Sequence, residues 1–323
     1  MIAIFLESKI GCFHVSDDQA ESFMSRLAEA LPVNGLSCVR VCRSEEEFIA
    51  VLPDAIVAIV WTFRQEWFAF SPRLRAIFTP AAGKDYFRIT PPAGVSLHYG
   101  AFHGAIMGET ALACVLAMSH GILPFAREMS VDSDYTIPDL WPRTRLVPRS
   151  RRIAGSMILI LGFGSIGRRF AEMVAPLGPK IVGVTQHQHP ELETVYPFVS
   201  LATMEELDML LPSADHVVCF LPSGAATDDI IDVRRLSLMK KGAFLYNFGR
   251  GNAIDEKALV DALASGHICG AVLDVFKTEP LPSDSPLRRA PNCWLYPHAS
   301  AFSPDYLDLY FASIVDEISE IIA

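Results

Sequence analysis

The sequence of 323 residues has no C-x-x-C pair, no excess of basic charge, and no repeat or low-complexity stretch. Each absence removes a class of protein. Its longest apolar runs, 55–61 and 111–118, fall far short of the ~20 residues that span a bilayer as a helix. The opening Met-Ile-Ala-Ile-Phe-Leu-Glu lacks a basic flank and reads as a strand, not as a signal peptide. The 7 Cys residues (Cys12, Cys38, Cys42, Cys114, Cys219, Cys269 and Cys293) are odd in number and scattered, which excludes a paired disulfide framework and argues against structural zinc. Four of them (Cys38, Cys114, Cys219 and Cys269) sit in largely apolar segments, where free Cys serves as a small core residue. A reducing, cytoplasmic location is expected. Lys and Arg number 27 against 37 Asp and Glu, so 27 − 37 gives −10, which argues against a nucleic-acid or anionic-membrane surface.

What is present is a large apolar content. Hydrophobic residues make up 51% and charged residues 20%, enough for a sizeable core. At roughly 150 residues per domain the length predicts about two domains. Continuous apolar strands are expected at 2–6, 37–42, 55–61 and 76–78, with helices at 20–31 and from 44. Such alternation implies a parallel sheet covered on both faces. A long apolar helix is expected over 104–125, followed by a loop over 130–152 that carries Arg143, Arg145, Arg149, Arg151 and Arg152 among prolines. That basic cluster reads as a solvated or subunit-contacting arm in preference to a phosphate site. A second alternating series starts with strand 157–161 and runs through strands 181–184, 216–220, 243–247, 270–275 and 294–296. Asp255 is placed to cap the helix starting at Glu256 and Gly266 to end it. An amphipathic helix over 303–323 closes the chain.

Gly162-Phe163-Gly164-Ser165-Ile166-Gly167 follows the strand 157–161 directly and opens the next helix. A glycine turn can merely join strand to helix, but this context is that of a dinucleotide loop. Gly162 allows the tight turn, Gly164 lets backbone approach a pyrophosphate, Gly167 lets helix pack on strand, and the helix N-terminus offers N–H groups to phosphate. NAD-selective loops usually carry an acid at the end of the next strand. Here that strand ends in Thr185-Gln186-His187. A missing carboxylate removes repulsion of a 2′-phosphate, so NADP is expected as the preferred cofactor, with NAD as the alternative.

Three polar residues follow later strands: Arg250, Glu279 and His298. Singly they could be a surface Arg, a solvated Glu and a core His. Their order and spacing, with Ala81-Ala82-Gly83-Lys84-Asp85, the glycine loop, Leu221-Pro222 and Thr227, Asn247-x-x-Arg250-Gly251, Leu273-Asp274-Val275, Glu279-Pro280 and Pro297-His298, resemble the D-isomer-specific 2-hydroxyacid dehydrogenases, which include glyoxylate/hydroxypyruvate reductases. The resemblance covers the chain from about residue 76 onward. It implies two Rossmann-like or flavodoxin-like parallel-sheet α/β domains, with a cofactor domain (101–298) inserted into a discontinuous substrate domain (1–100 and 299–323). It also implies a homodimer.

By the same resemblance Arg250 would anchor the carboxylate and carbonyl of a 2-oxo acid, His298 would be the acid/base, and Glu279 would orient the imidazole. N–H groups around Ala82, Gly83 and Lys84 would receive the substrate carboxylate, and Lys84 would point either to solvent or inward. Cofactor contacts would come from Gly162, Gly164, Ser165, Ile166, Gly167, Thr185, Gln186, His187, Leu221, Pro222, Thr227, Phe248, Gly249 and Asp274, the last to the nicotinamide carboxamide. Phe248, Gly249 and the run Ala299-Ser300-Ala301-Phe302 depart from the family pattern, which touches pocket shape more than chemistry. The expected function is NAD(P)H-dependent reduction of a small 2-oxo acid to a 2-hydroxy acid. The alternatives are a dinucleotide-sensing regulatory protein on the same scaffold, or a dehydrogenase of another small anion such as formate or phosphite.

Overall fold

The structure, a computed structural model, describes residues 1–6, 15–30, 39–83, 87, 89–131 and 150–322. Cys12, Cys38, Lys84, Arg143, Arg145 and Arg149 lie outside the described residues. The chain divides into two compact units, residues 1–103 with 302–323, and residues 104–301.

The first unit holds strands β1 (Ile2–Phe5), β2 (Val39–Val41), β3 (Val57–Val60), β4 (Ala76–Thr79) and β5 (Ser96–Tyr99). All pair in parallel, in the order β2-β1-β3-β4-β5. Strands β3 and β4 are buried along their whole length because helices cover both faces. The C-terminal helix Tyr306–Ile322 belongs here: its apolar stripe packs on the helix Asp17–Ala30, with Phe311 stacked on Phe23 at 4.5 Å between centroids.

The second unit is a seven-stranded parallel sheet. Its strands are β6 (Met157–Leu161), β7 (Lys180–Thr185), β8 (Val199–Thr203), β9 (His216–Cys219), β10 (Ala243–Asn247), β11 (Ile268–Leu273) and β12 (Cys293–Leu295). They are ordered β12-β11-β10-β9-β6-β7-β8. Alternate residues along each strand feed two separate cores. Leu159 and Leu161 of β6 join Val217, Leu245 and Ala271 on one face, while Ile158 and Ile160 join Val218, Tyr246 and Val272 on the other. The order reverses between β6 and β9, and a reversal of this kind opens a crevice beyond the carboxyl ends of the two strands.

Two strands escaped the sequence reading, β5 and β8. Both are edge strands, partly exposed, so neither shows the continuous apolar run that marks a buried strand. The helix expected over 104–125 is broken in two, Gly104–Ser119 and Ile122–Val131. Gly121 sits between them at φ +69°, ending the first helix, and Pro124 falls in the first turn of the second, where its missing N–H costs nothing. Asp255 caps its helix, accepting from the Ala258 N–H at 3.0 Å, and Gly266 follows that helix at φ +70°. The five described cysteines are unbridged. No described helix is long and apolar enough to cross a membrane.

Candidate active site

The glycine loop stands at the end of β6. Gly162 adopts φ +91°, and a Cβ there would lie 3.0 Å from the Phe220 backbone. Gly167 packs so closely that its Cβ would stand 2.4 Å from the Gly162 carbonyl oxygen. Gly164 differs from both, having open space where a side chain would be, and it caps the helix Ser165–Val174 without supplying a side-chain acceptor. The N–H groups of Ser165, Ile166 and Gly167 in that first turn have no intrahelical acceptor and meet the positive end of the helix dipole. Tight turn, open backbone and exposed donors fit a dinucleotide pyrophosphate. One support was not expected: Phe163 is buried, and a Cβ on Gly183 of β7 would lie 2.7 Å from its ring. A glycine in a strand interior was the available signal. Arg168, just inside the helix, also donates from Nε to the Gly164 carbonyl at 3.2 Å.

Around this loop the expected contacts divide. Gln186 and His187 are exposed at the end of β7. Thr185 is not the simple phosphate donor that its position suggested, because its hydroxyl donates to the His187 carbonyl at 2.6 Å and has only one proton to give. The Thr227 hydroxyl closes the turn after β9, its single proton shared between the Pro222 and Gly224 carbonyls at 2.8 and 2.9 Å. Leu221 and Phe248 are buried, Phe248 stacked on Phe220, so their side chains are core. Gly249 approaches the Leu221 backbone so closely that a Cβ would stand 2.4 Å from its oxygen. Asp274 is buried, and its carboxylate accepts from the N–H of Ala299 at 2.8 Å, the N–H of Ser300 at 3.2 Å and the Ser300 hydroxyl. Ala82 is exposed and Gly83 buried, in the segment that follows β4 of the first unit.

Arg250, Glu279 and His298 follow β10, β11 and β12. Asn247, which sequence reasoning used only as part of a pattern, staples the first of these loops. Its side-chain amide donates to the Arg250 carbonyl at 3.0 Å and its oxygen accepts from the Gly249 N–H at 3.1 Å. Glu279 accepts the Phe276 N–H on Oε1 at 2.9 Å and bonds His298 Nδ1 through Oε2 at 2.7 Å. The backbone of that loop is held from outside, the Lys277 N–H on Glu256 at 2.7 Å and the Lys277 ammonium on Asp229.

Partial burial pushes the Glu279 carboxyl up, but the bonds from His298 and Phe276, with the nearby charges of His298 and Arg250, outweigh it and hold the group below the usual range. The bond to Glu279 raises the proton affinity of His298; burial and Arg250 oppose this, while the charges of Glu279 and Asp274 reinforce it, and the result is a raised value. Solvent reaches half of the His298 side chain, so the imidazole can meet a substrate. His298 also lies at φ +54°, a left-handed conformation costing roughly 1 kcal/mol or more for an L-residue.

A parallel sheet in this order, with an uncapped glycine loop beside its point of reversal, defines a dinucleotide-binding protein. The family described as D-isomer specific 2-hydroxyacid dehydrogenase, NAD binding domain, matches residues 112–300. The chain is 33% identical over 247 residues to glyoxylate/hydroxypyruvate reductase B of Pectobacterium carotovorum, covering 72% of this chain and 71% of the relative. It is 30% identical to glyoxylate reductase of Thermofilum pendens over 81% of this chain and 74% of that one. A solved D-isomer specific 2-hydroxyacid dehydrogenase of Xanthobacter autotrophicus Py2, in complex with NADPH and MES, superposes with a TM-score of 0.76 at 26% identity, covering 99% of this chain and 94% of that one. The chain belongs to the D-isomer specific 2-hydroxyacid dehydrogenase family. It is an NAD(P)-dependent oxidoreductase with two parallel-sheet α/β domains.

Proposed function

We propose that this chain reduces a small 2-oxo acid of the glyoxylate or hydroxypyruvate type to the D-2-hydroxy acid, with NADPH preferred to NADH. The observation that carries the reading is the His298 Nδ1 to Glu279 Oε2 bond at 2.7 Å, which orients an exposed imidazole and favours its protonated form. Arg250 offers a planar fork of donors to the substrate carboxylate and adjacent carbonyl oxygen. His298 delivers a proton from Nε2 to that oxygen as it gains charge, and takes one back in the oxidative direction. Glu279 remains ionised and stabilises the imidazolium. The hydride is the contribution of a reduced nicotinamide, whose dinucleotide the loop 162–167 and the residues after β7 and β9 would hold. By the same reading the N–H groups around Ala82, Gly83 and Lys84 would receive the substrate carboxylate, with residues 1–100 and 299–323 as the substrate domain and 101–298 as the cofactor domain.

Support for the substrate class comes from the names of the two relatives, both reductases of such acids, which favours an enzyme over a regulatory protein. The preference for NADPH rests on the absent acid at Thr185 and on exposed Gln186 and His187, and the solved Xanthobacter relative carries NADPH. A cytoplasmic homodimer completes the reading. Steady-state assays of glyoxylate, hydroxypyruvate and pyruvate with both reduced cofactors test it directly. His298→Asn is expected to lower kcat by roughly 10²–10⁴ while the reduced cofactor still binds. Near-normal turnover in that variant refutes the assignment. Thr185→Asp is expected to move binding toward NADH, and wild-type protein that binds NADH several-fold more tightly than NADPH overturns the cofactor preference.

A further inference from the structure

A left-handed His298 needs something to hold it there. Its N–H donates to the Asp274 carbonyl at 2.8 Å and to the Tyr296 carbonyl at 3.1 Å. The next two residues turn back onto the same aspartate: the N–H of Ala299 reaches Oδ1, and both the N–H and the hydroxyl of Ser300 reach Oδ2. On its other side the Ser300 carbonyl accepts the Thr110 hydroxyl at 2.9 Å, from the helix Gly104–Ser119. Asp274 is 1% exposed and Ser300 2%. The three donors to this buried carboxylate all come from the loop, so the loop must keep its conformation for the charge to stay satisfied.

We propose that Ser300 is a positioning residue for His298, fastening the loop between Asp274 and Thr110 so that the imidazole is presented to Glu279. The inference rests on the reading of His298 as the proton donor. The charged groups acting on His298 are Glu279, Asp274 and Arg250. Loosening the loop gives up the Glu279 bond, the largest of these influences, and with it part of the raised proton affinity.

The test uses two readouts. Protein with ¹³C-labelled histidine is titrated by NMR without substrate or cofactor, the His298 signal being assigned by its loss in His298→Asn. Ser300→Ala is expected to lower the His298 midpoint by about half a pH unit or more. It should also lower kcat for 2-oxo acid reduction roughly tenfold or more, with the NADPH KM unchanged within about twofold. Ser300→Thr keeps the hydroxyl and should restore both values. Thr110→Val releases only the carbonyl and should give a smaller shift in the same direction, which keeps the proposal testable if Ser300→Ala folds poorly. A Ser300→Ala protein with wild-type midpoint and kcat, even with a lowered Tm, overturns the proposal. Wild-type protein inactive on 2-oxo acids would instead remove the reaction, and the NMR midpoints would still decide the role of Ser300.

Discussion

His216, the first residue of β9, gives a stability prediction whose size follows from its surroundings. It is 1% exposed, stacked on Phe244 at 5.4 Å between centroids, and its Nδ1 bonds the Tyr246 hydroxyl at 3.1 Å. Burial lowers its value from 6.5 to about 4; Asp215 works against the shift and Arg151 with it. The folded protein therefore holds this imidazole neutral, while the unfolded chain takes up a proton as pH falls below 6.5. Between pH 6.5 and about 4 the unfolded state binds more protons, so stability rises with pH in that window. The contribution is fully present above 6.5 and lost on acidification. At about 1.4 kcal/mol per unit, the loss approaches ~3 kcal/mol below pH 4 and is about 2 kcal/mol at pH 5. Urea unfolding of wild type and His216→Gln at pH 7.5 and pH 5 isolates the effect, because the other titrating groups cancel in the difference. Wild type should lose about 2 kcal/mol more than the variant between the two pH values. Equal losses would refute the assignment of a neutral, buried His216.

Two further outcomes follow from the site. With His298 as the proposed proton donor, activity should be present below its titration point and lost as pH rises through it; Glu279→Gln removes the leading cause of the raised value and should move the alkaline limb of kcat to lower pH, whereas an unmoved limb would detach Glu279 from the proton donor. In Gly183→Ala the new Cβ would lie 2.7 Å from the Phe163 ring, and overpacking there should lower stability by about 1–3 kcal/mol and weaken dinucleotide binding, both readable from Tm with and without NADPH; an unchanged Tm and Kd would mean that the ring shifts without cost.

The parts legible in the sequence are those whose signal is local. The strand 157–161 is apolar on both faces, and Gly162, Gly164 and Gly167 each answer a separate backbone demand within six residues, so loop and sheet could be read before any contact was known. Arg250, Glu279 and His298 drew notice for a related reason: each follows a strand of the parallel sheet, at the end where such a sheet presents its ligands. The residues that support them left no such mark. Ser300 is an ordinary serine until Asp274, 26 positions away, is folded against it, and Thr110 reaches it from a helix 190 positions away in sequence. Thr185 shows the opposite error, in which a residue type suited to a phosphate spends its one proton on the His187 carbonyl. A hydroxyl's partner depends on a turn two residues long, and that turn is decided by how 185–189 leaves β7. The missing acid at 185 nevertheless bears on the proposed cofactor preference, since repulsion of a 2′-phosphate requires a negative charge and no arrangement of the turn can supply one from Thr, Gln or His.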